Sequence, residues 1–451
     1  MRRLPPKPEP RTEKVSLWRY MRLFRQDILS AQPAKLYRAW MAEFRTPFFR
    51  SYLVNDPELV KEVLVRNPEA FPKSDRIGAG LRPLLGNSVF VTNGEEWRRQ
   101  RRIIDPAFAG GRLRDTYPGI SDAAQAGVQR LAAQADGAPQ EIEAVASHIA
   151  ADVIFRTLFS IPIEDKTAQE VFEAFRGYQR SQPILNLAAF IRGPSWMPRF
   201  FNAETRAAAQ KIRRLITQLT QDRLDLIAKD QAPDDLATKI LTTKDPQTGE
   251  TFTLDEMVDQ VAIFFLAGHE TSAAALSWAL YLLALYPDWQ ERLAQEAANF
   301  SGSFADLSDL KQTRDVFRET LRLYPSVPMM VREATRRGSF RNRTVNAGAQ
   351  IVLSPWHLHR HERFWDNPDG FDPDRWDTEN GKRCARDAYM PFSAGPRICP
   401  GAGFALIEGT VLLANLLRAY RFDIVAGRIP IPVAHLTVRS KDGIWLRIGA
   451  R

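Results

Sequence analysis

At 451 residues the chain is long enough for a large buried core, and 44% apolar with 25% charged residues is ordinary globular usage, which excludes a disordered, collagenous or disulfide-scaffold protein. Lys+Arg 62 against Asp+Glu 53 leaves a net charge of +9, a surface that favours acidic partners without saying which kind. Only two cysteines occur, Cys384 and Cys399, so a secreted disulfide framework is excluded and each thiol needs its own explanation.

Residues 1–12 are basic and proline-rich. No apolar run follows Arg2 and Arg3, so the start reads as a solvated tail, neither a secretory nor a twin-arginine signal. From Val15 to Leu29, Trp18, Met21 and Phe24 alternate with Arg19, Arg22 and Arg25, the spacing of an amphipathic helix that packs on the body. Lying on an anionic membrane is the other use of such a helix. Phe48 to Val54 reads as a strand and Asp56-Pro57 opens a helix, the edge of a small sheet.

Amphipathic helical segments dominate from Ser121 to about Leu226, broken at Pro162, Pro183, Pro194 and Pro198. After a break at Ala232 to Asp235, Thr253-Leu254-Asp255-Glu256 has the form of a capping box. It opens a run, Val261 to Tyr286, that is almost wholly apolar and longer than the ~20 residues a bilayer needs. His269 and Glu270 sit at its middle, where an ionisable pair would be costly in lipid; a long helix through the centre of a large domain explains the same apolarity. Short strands follow Pro325 (Ser339 to Val345, Gln350 to Leu353), then a Pro/Asp/Trp-rich coil from Asp366 to Asp377, the Cys399 segment and a last helix, Phe404 to Tyr420. The fold class this pattern predicts is α+β, mainly α: one domain over residues 1–451, with a large helical lobe and a small β lobe interleaved in sequence.

Cys399 lies in Phe392-Ser393-Ala394-Gly395-Pro396-Arg397-Ile398-Cys399-Pro400-Gly401, directly ahead of that last helix. A thiolate there sees the positive end of the helix dipole and nearby N–H groups, which suits it to bind a metal. Gly395 and Gly401 let the backbone wrap closely around the sulfur and leave room for a flat ligand. Arg397 can pair an acidic group on it. Cys384, among Lys382, Arg383 and Arg386, reads as an incidental surface thiol in a loop.

The pattern F-x-x-G-x-R-x-C-x-G resembles the haem-binding loop of the cytochrome P450 family, whose cysteine thiolate is the proximal iron ligand. Phe392, Gly395, Arg397, Cys399 and Gly401 all match, and chance would supply on the order of 10^-4 such matches in a chain this long. The resemblance implies the cytochrome P450 fold, with haem b between the long helix and the cysteine loop, Cys399 on its iron, and dioxygen as co-substrate.

Three further constellations occur in the order that family requires. Glu319 and Arg322 share a helix face, and with Arg375, in a segment similar to the family's meander, they resemble its buried structural Glu-Arg-Arg cluster. Ala267-Gly268-His269-Glu270-Thr271 is similar to the oxygen-binding signature. Gly268 would there leave space for a flat cofactor, and Glu270 with Thr271 would form an acid–alcohol pair that delivers protons in a dry site. Trp97 and Arg101, four apart on one helical face, match W-x-x-x-R, which in the family holds a haem propionate; Arg332 and Arg397 resemble further propionate partners.

By the same analogy the substrate pocket is lined by Leu84, Leu85, Val89 and Phe90, by Ile184 to Phe190, by Phe264 and Ala267, by Val327, Met329, Met330 and Val331, and by His435 and Leu436. Ordinary core packing is the competing account of each. The resemblance implies a cytoplasmic, bacterial-type, monomeric monooxygenase with a hydrophobic substrate (fatty-acid or alkyl, terpenoid or aromatic), no transmembrane span, no fused reductase, and electrons from NAD(P)H through a separate ferredoxin or flavodoxin and its reductase. Arg98, Arg99 and Arg102, with Lys382, Arg383 and Arg386, form either a docking patch for an acidic electron donor or a solvated face. Two other readings stand. A peroxide-using relative tends to replace the Glu270-Thr271 pair, which is intact here, and a haem or gas sensor would show thiolate ligation without substrate-dependent electron use. His357, His359 and His361 alternate as if along a strand but lack a fourth ligand for zinc, and no nucleic-acid-binding signature accompanies the positive charge.

Overall fold

The computed structural model describes residues 4–45, 50–181, 203–434 and 436–451. Backbone contacts group them into two compact units, Met1–Phe71 with Ala124–Ile149 and Glu270–Arg451, and Pro72–Ala123 with Ala150–His269. The chain is mainly α with small sheets, as its apolar periodicity predicts.

The first unit holds every strand among the described residues. In chain order these are β1 (Met41–Arg45), β2 (Arg50–Val54), β3 (Asp136–Glu141), β4 (Met330–Glu333), β5 (Gly338–Phe340) and β6 (Arg343–Val345). β7 (Gln350–Leu353), β8 (Tyr420–Ile424), β9 (Pro432–Ala434), β10 (Val438–Ser440) and β11 (Trp445–Ala450) complete them. The largest sheet runs β1-β2-β7-β4, β3-β11-β8 form a second, and β9-β10 and β5-β6 are two-stranded ribbons. β2 and β7 pair in parallel, joining residues 51–54 to 350–353, so this sheet draws on both ends of the chain. Tyr52, Val54, Ile351 and Leu353 bury one core with Trp365, Trp376 and Cys384. Strand β3 carries no alternating apolar pattern and was not legible in the sequence.

Several sequence expectations change here. The tail lies on the body: Lys7 pairs with Asp369 at 2.5 Å, Tyr324 Oη donates to Pro6 O at 2.7 Å, and Pro5 and Pro8 are buried. Helix Leu17–Gln26 forms behind its Ser16 cap, but Trp18 is 81% exposed, and Tyr20 makes the packing contacts, with Phe24 and Phe44. His357 falls in a short helix, Pro355–Leu358, rather than a strand. Its Nδ1 lies 2.8 Å from Ser354 Oγ, while His361 stacks on Trp40. Their partners differ, and among the described residues no cluster of three or more His, Cys, Asp or Glu side chains is placed to hold a metal ion. Cys384 is buried in helix Glu379–Asp387, where burial pushes its thiol up and Sγ lies 3.1 Å from Phe364 O. It is a core thiol, not a surface one.

Among its described residues the regular elements of the second unit are helices. Helices Asp75–Leu85, Gly94–Ile104, Lys166–Ser181, Ala203–Ala228 and Leu236–Thr242 belong to it, together with the first half of helix Leu254–Leu285. The capping box forms as its residues dictate: Thr253 N donates to Glu256 Oε2 at 2.9 Å and Glu256 N to Thr253 Oγ1 at 3.3 Å. From there the helix runs 32 residues, about 48 Å at ~1.5 Å per residue. Among the described residues the helix long and apolar enough to cross a membrane is another one, Ala402–Ala419, and 61% of that stretch is buried inside the protein.

Glu319 and Arg322, both fully buried on helix Lys311–Leu323, tie the first unit together. Arg322 donates to both Glu319 oxygens, at 2.9 and 2.8 Å, and Arg375 donates to Oε1 at 3.0 Å. The remaining guanidinium donors take carbonyls of His359, Pro368 and Gly370 from Arg322, and of Asp366, Asn367 and Gly370 from Arg375. Removing one member of such a cluster leaves a buried charge uncompensated, at about 3 to 5 kcal/mol. Glu319→Ala is therefore expected to lower the unfolding midpoint sharply and to leave little haem-loaded protein, as read by thermal unfolding and haem absorbance; wild-type values for both would remove the cluster's structural role.

Candidate active site

The cysteine loop is fixed by backbone. Ser393 and Gly395 both have left-handed φ, 66° and 69°. A Cβ at Gly395 would lie 2.0 Å from the carbonyl oxygen of Leu64, so the position excludes every side chain. The loop closes through Cys399 N to Phe392 O at 2.9 Å and Ile398 N to Gly395 O at 3.0 Å. Helix Ala402–Ala419 then starts behind its Gly401 cap. At Gly401 φ is −83°, and a Cβ would meet only the Cys399 sulfur, at 3.9 Å. Packing does not demand that glycine; it keeps the space beside the sulfur clear. Upstream, Met390 N donates to His359 Nε2 at 2.8 Å. Burial, then the charges of Arg322 and Arg360, lowers that imidazole to about 3, so it stays a neutral acceptor that pins the loop.

These residues fit a haem held by a thiolate. Cys399 is exposed at the helix N-terminal end, and Arg397 is partly buried in the same loop. Arg332, on β4, is 5% exposed, donates to Val331 O, and has no carboxylate partner among the described residues. Burial pulls its guanidinium down to about 10. A buried cation of this kind calls for an anion, and haem brings two propionates.

On the long helix the signature residues differ in surroundings. Ala267 is exposed although its neighbours Leu266 and His269 are buried. Gly268 does not make room for a flat ligand: a Cβ there would lie 2.3 Å from Ile154 Cδ1, so the bare Cα admits a neighbouring helix. Glu270 is 8% exposed; Thr437 Oγ1 donates to its Oε1 at 2.5 Å and Arg439 Nη2 lies 2.7 Å from the same atom. The Thr271 carbonyl accepts from Ser326 Oγ at 2.9 Å. Ser272 Oγ donates at 2.6 Å to Glu408 Oε2 on helix Ala402–Ala419. Burial drives Glu408 up to about 8 against the pull of that hydroxyl. Sequence reasoning missed Thr437, Arg439, Ser272 and Glu408. Only Glu408, a lone carboxyl in an apolar helix, left a local signal.

In the second unit, Trp97 and Arg101 share one face of helix Gly94–Ile104, with the guanidinium 5.9 Å from the indole centroid and 2.6 Å from Asp105. Arg99 pairs with Glu256 and Arg102 with Asp245, each at 2.6 Å, so these two cations are spent inside the unit and the docking patch read from the sequence loses them. Leu84 and Leu85 are 0% exposed: they are core, not pocket lining. Phe264 meets Phe108 edge-on, Val89 is partly buried, and Phe90 is exposed beneath Lys73. In the first unit Val327, Met329 and Val331 keep some surface, whereas Met330 packs on the β core. Leu436 is 41% exposed. Ile184 to Phe190 and His435 lie outside the described residues.

A mainly helical fold that carries an exposed cysteine on a left-handed glycine loop, and an acid–alcohol pair on its longest helix, has the parts of a haem-thiolate oxygenase. A family profile described as Cytochrome P450 matches residues 29–445, and the chain belongs to that family. It is 31% identical over 422 residues to the cyclooctat-9-en-7-ol 5-monooxygenase of Streptomyces melanosporofaciens, covering 92% of this chain and 87% of that one. To a cytokinin hydroxylase of Arabidopsis thaliana it is 28% identical over 429 residues, covering 90% and 82%. The crystal structure of a cytochrome P450DA mutant heme domain superposes with TM-score 0.81 at 22% identity, covering 99% of this chain and 98% of that one, which establishes the fold. The protein is a haem-dependent monooxygenase, an oxidoreductase that incorporates oxygen from O2.

Glu408 makes a stability prediction. A carboxyl raised from 4.5 to about 8 in the fold contributes fully below pH 4.5 and loses that contribution as pH rises to 8, at about 1.4 kcal/mol per pH unit. Glu408→Gln, which cannot ionise, is expected to gain unfolding midpoint on the wild type steadily between pH 5 and 8 and to hold that lead above. A difference independent of pH would show that Glu408 is not a raised buried acid.

Proposed function

We propose that the chain binds haem b through Cys399 and hydroxylates a hydrophobic small molecule, with electrons from NAD(P)H carried by a separate reductase and a ferredoxin or flavodoxin. The observation that carries this reading is the Cys399 loop: left-handed Gly395 against Leu64, the sulfur ahead of a helix, and clear space at Gly401. The overall change is R–H + O2 + 2 electrons + 2 protons to R–OH + H2O. Haem held by a thiolate supplies oxygen activation, the sulfur donating electron density that favours O–O cleavage. Around it the chain provides the rest. Arg332 and Arg397 would neutralise propionates, and in the role the family motif gives them Arg101 would pair a propionate and the neutral Trp97 indole would donate a hydrogen bond to one. Thr271 and Glu270 would hold and relay protons beside the haem, and apolar side chains such as Val327 and Val331 would exclude water.

Relatives named for cyclooctat-9-en-7-ol and for cytokinin make small organic molecules the class to screen, and a low-to-high-spin shift would identify those that bind. The reduced protein with CO is expected to show the absorption band of thiolate-ligated haem, and Cys399→Ala to abolish it; an unchanged spectrum in that variant would refute the assignment. Thr271→Ala should keep the CO band but divert electrons to hydrogen peroxide, seen as a drop in product per NAD(P)H consumed. Unchanged coupling would remove Thr271 from proton delivery.

A further inference from the structure

Glu270 is held from outside its own helix. The β9–β10 ribbon brings Thr437 and Arg439 to one carboxylate oxygen, at 2.5 and 2.7 Å. The carboxylate is nearly dry, 8% exposed, while Arg439 is 39% exposed and reaches water. A buried carboxylate needs partners to offset its lost hydration, and Thr437 and Arg439 supply them, Arg439 with only part of its own hydration lost.

The ribbon is also tied to the helix that carries the acid–alcohol pair. Trp278 Nε1, two turns beyond Glu270, donates to Val438 O at 3.3 Å. Val438 N donates to Ser326 O at 3.0 Å, and the same serine's hydroxyl donates to the carbonyl of Thr271. At its other strand Ala434 N donates to Asp27 Oδ1 at 2.9 Å, and beside Arg439 the amide of Ser440 donates to Glu143 Oε1 at 2.9 Å. Each end is anchored, so the ribbon cannot shift without moving its grip on Glu270. Leu436, one residue before Thr437, exposes 41% of its surface, so an apolar molecule touching it would act next to that grip.

We propose that Thr437 and Arg439 are positioning residues for the acid of the Glu270–Thr271 pair: the C-terminal ribbon sets the direction of the Glu270 carboxylate and its link to solvent, so that proton delivery depends on a residue outside the long helix. The inference rests on the proton-delivery role proposed for Glu270. Protons would enter from the water at Arg439 and be relayed by the Glu270 carboxylate to the Thr271 side of the helix; the guanidinium keeps its own protons throughout.

The test compares Arg439→Gln, Arg439→Lys, Thr437→Val, Glu270→Gln and the Arg439→Gln/Glu270→Gln double variant in the haem-loaded protein with its reductase system. Product and peroxide per NAD(P)H, the solvent deuterium isotope effect on turnover, and the thermal unfolding midpoint are read for each. Arg439→Gln and Thr437→Val should raise peroxide severalfold and change the isotope effect, and Arg439→Lys should recover most of the coupling. The double variant should match Glu270→Gln alone, because two residues acting through one contact are not additive. Arg439→Gln should also lower the unfolding midpoint beside Glu270 but not beside Gln at that position, a readout independent of turnover. If Glu270→Gln uncouples the enzyme while Arg439→Gln and Thr437→Val behave as wild type, the positioning role fails and the role of Glu270 stands. If Glu270→Gln couples as wild type, the proton-delivery reading itself fails and takes this inference with it.

Discussion

The sulfur's position depends on a carboxylate far from it in sequence. Glu319 is enclosed by the guanidinium groups of Arg322 and Arg375, with every guanidinium nitrogen bonded to a carboxylate oxygen or a backbone carbonyl. One of those carbonyls belongs to His359, and the ring of the same histidine accepts the amide of Met390, two residues before the cysteine loop opens at Phe392. The cluster thus fixes His359, His359 fixes Met390, and the left-handed turn at Ser393 and Gly395 carries that position to Cys399. A sulfur proposed as a ligand to iron has to be held to within fractions of an ångström, and a loop can reach that only when its supports are buried and hydrogen-bonded.

Three buried carboxyls show how surroundings assign roles to one chemical group. Glu319 meets two guanidinium groups and is structural. Glu408 meets a single hydroxyl, and burial prevails, pushing it up to about 8. Glu270 accepts from a hydroxyl and meets, at the same oxygen, a guanidinium that reaches water. Of the three, that last arrangement joins a buried carboxyl to solvent.

The positive charge of the chain follows the same logic. Arg99 and Arg102, which look like a free basic face on a helix, are paired with Glu256 and Asp245. Arg332, unremarkable in sequence, is buried without an acidic partner among the described residues. Net charge and helix spacing count cations; they do not say which are already neutralised, since Arg102 and Asp245 are 143 positions apart.

Local physics made much of this protein readable from sequence. The capping box at Thr253, the apolar run behind it, strand β7, and the glycine spacing around Cys399 involve residues within a few positions of one another, where propensity and steric rules act directly. What failed was long-range or contrary to pattern: a strand at residues 136–141 without alternation, a Gly268 that admits Ile154 rather than a ligand, leucines at 84 and 85 that are plain core, and a tail that packs on the body. By itself the sequence determined the family, and through the family's motifs it singled out the cysteine and the acid–alcohol pair proposed for its chemistry. Only the tertiary structure decided that Glu270 answers to Thr437 and Arg439, 167 and 169 positions away for the two side chains by their numbering, because which charges meet in a dry interior is set by how distant segments pack and not by any pattern along the chain.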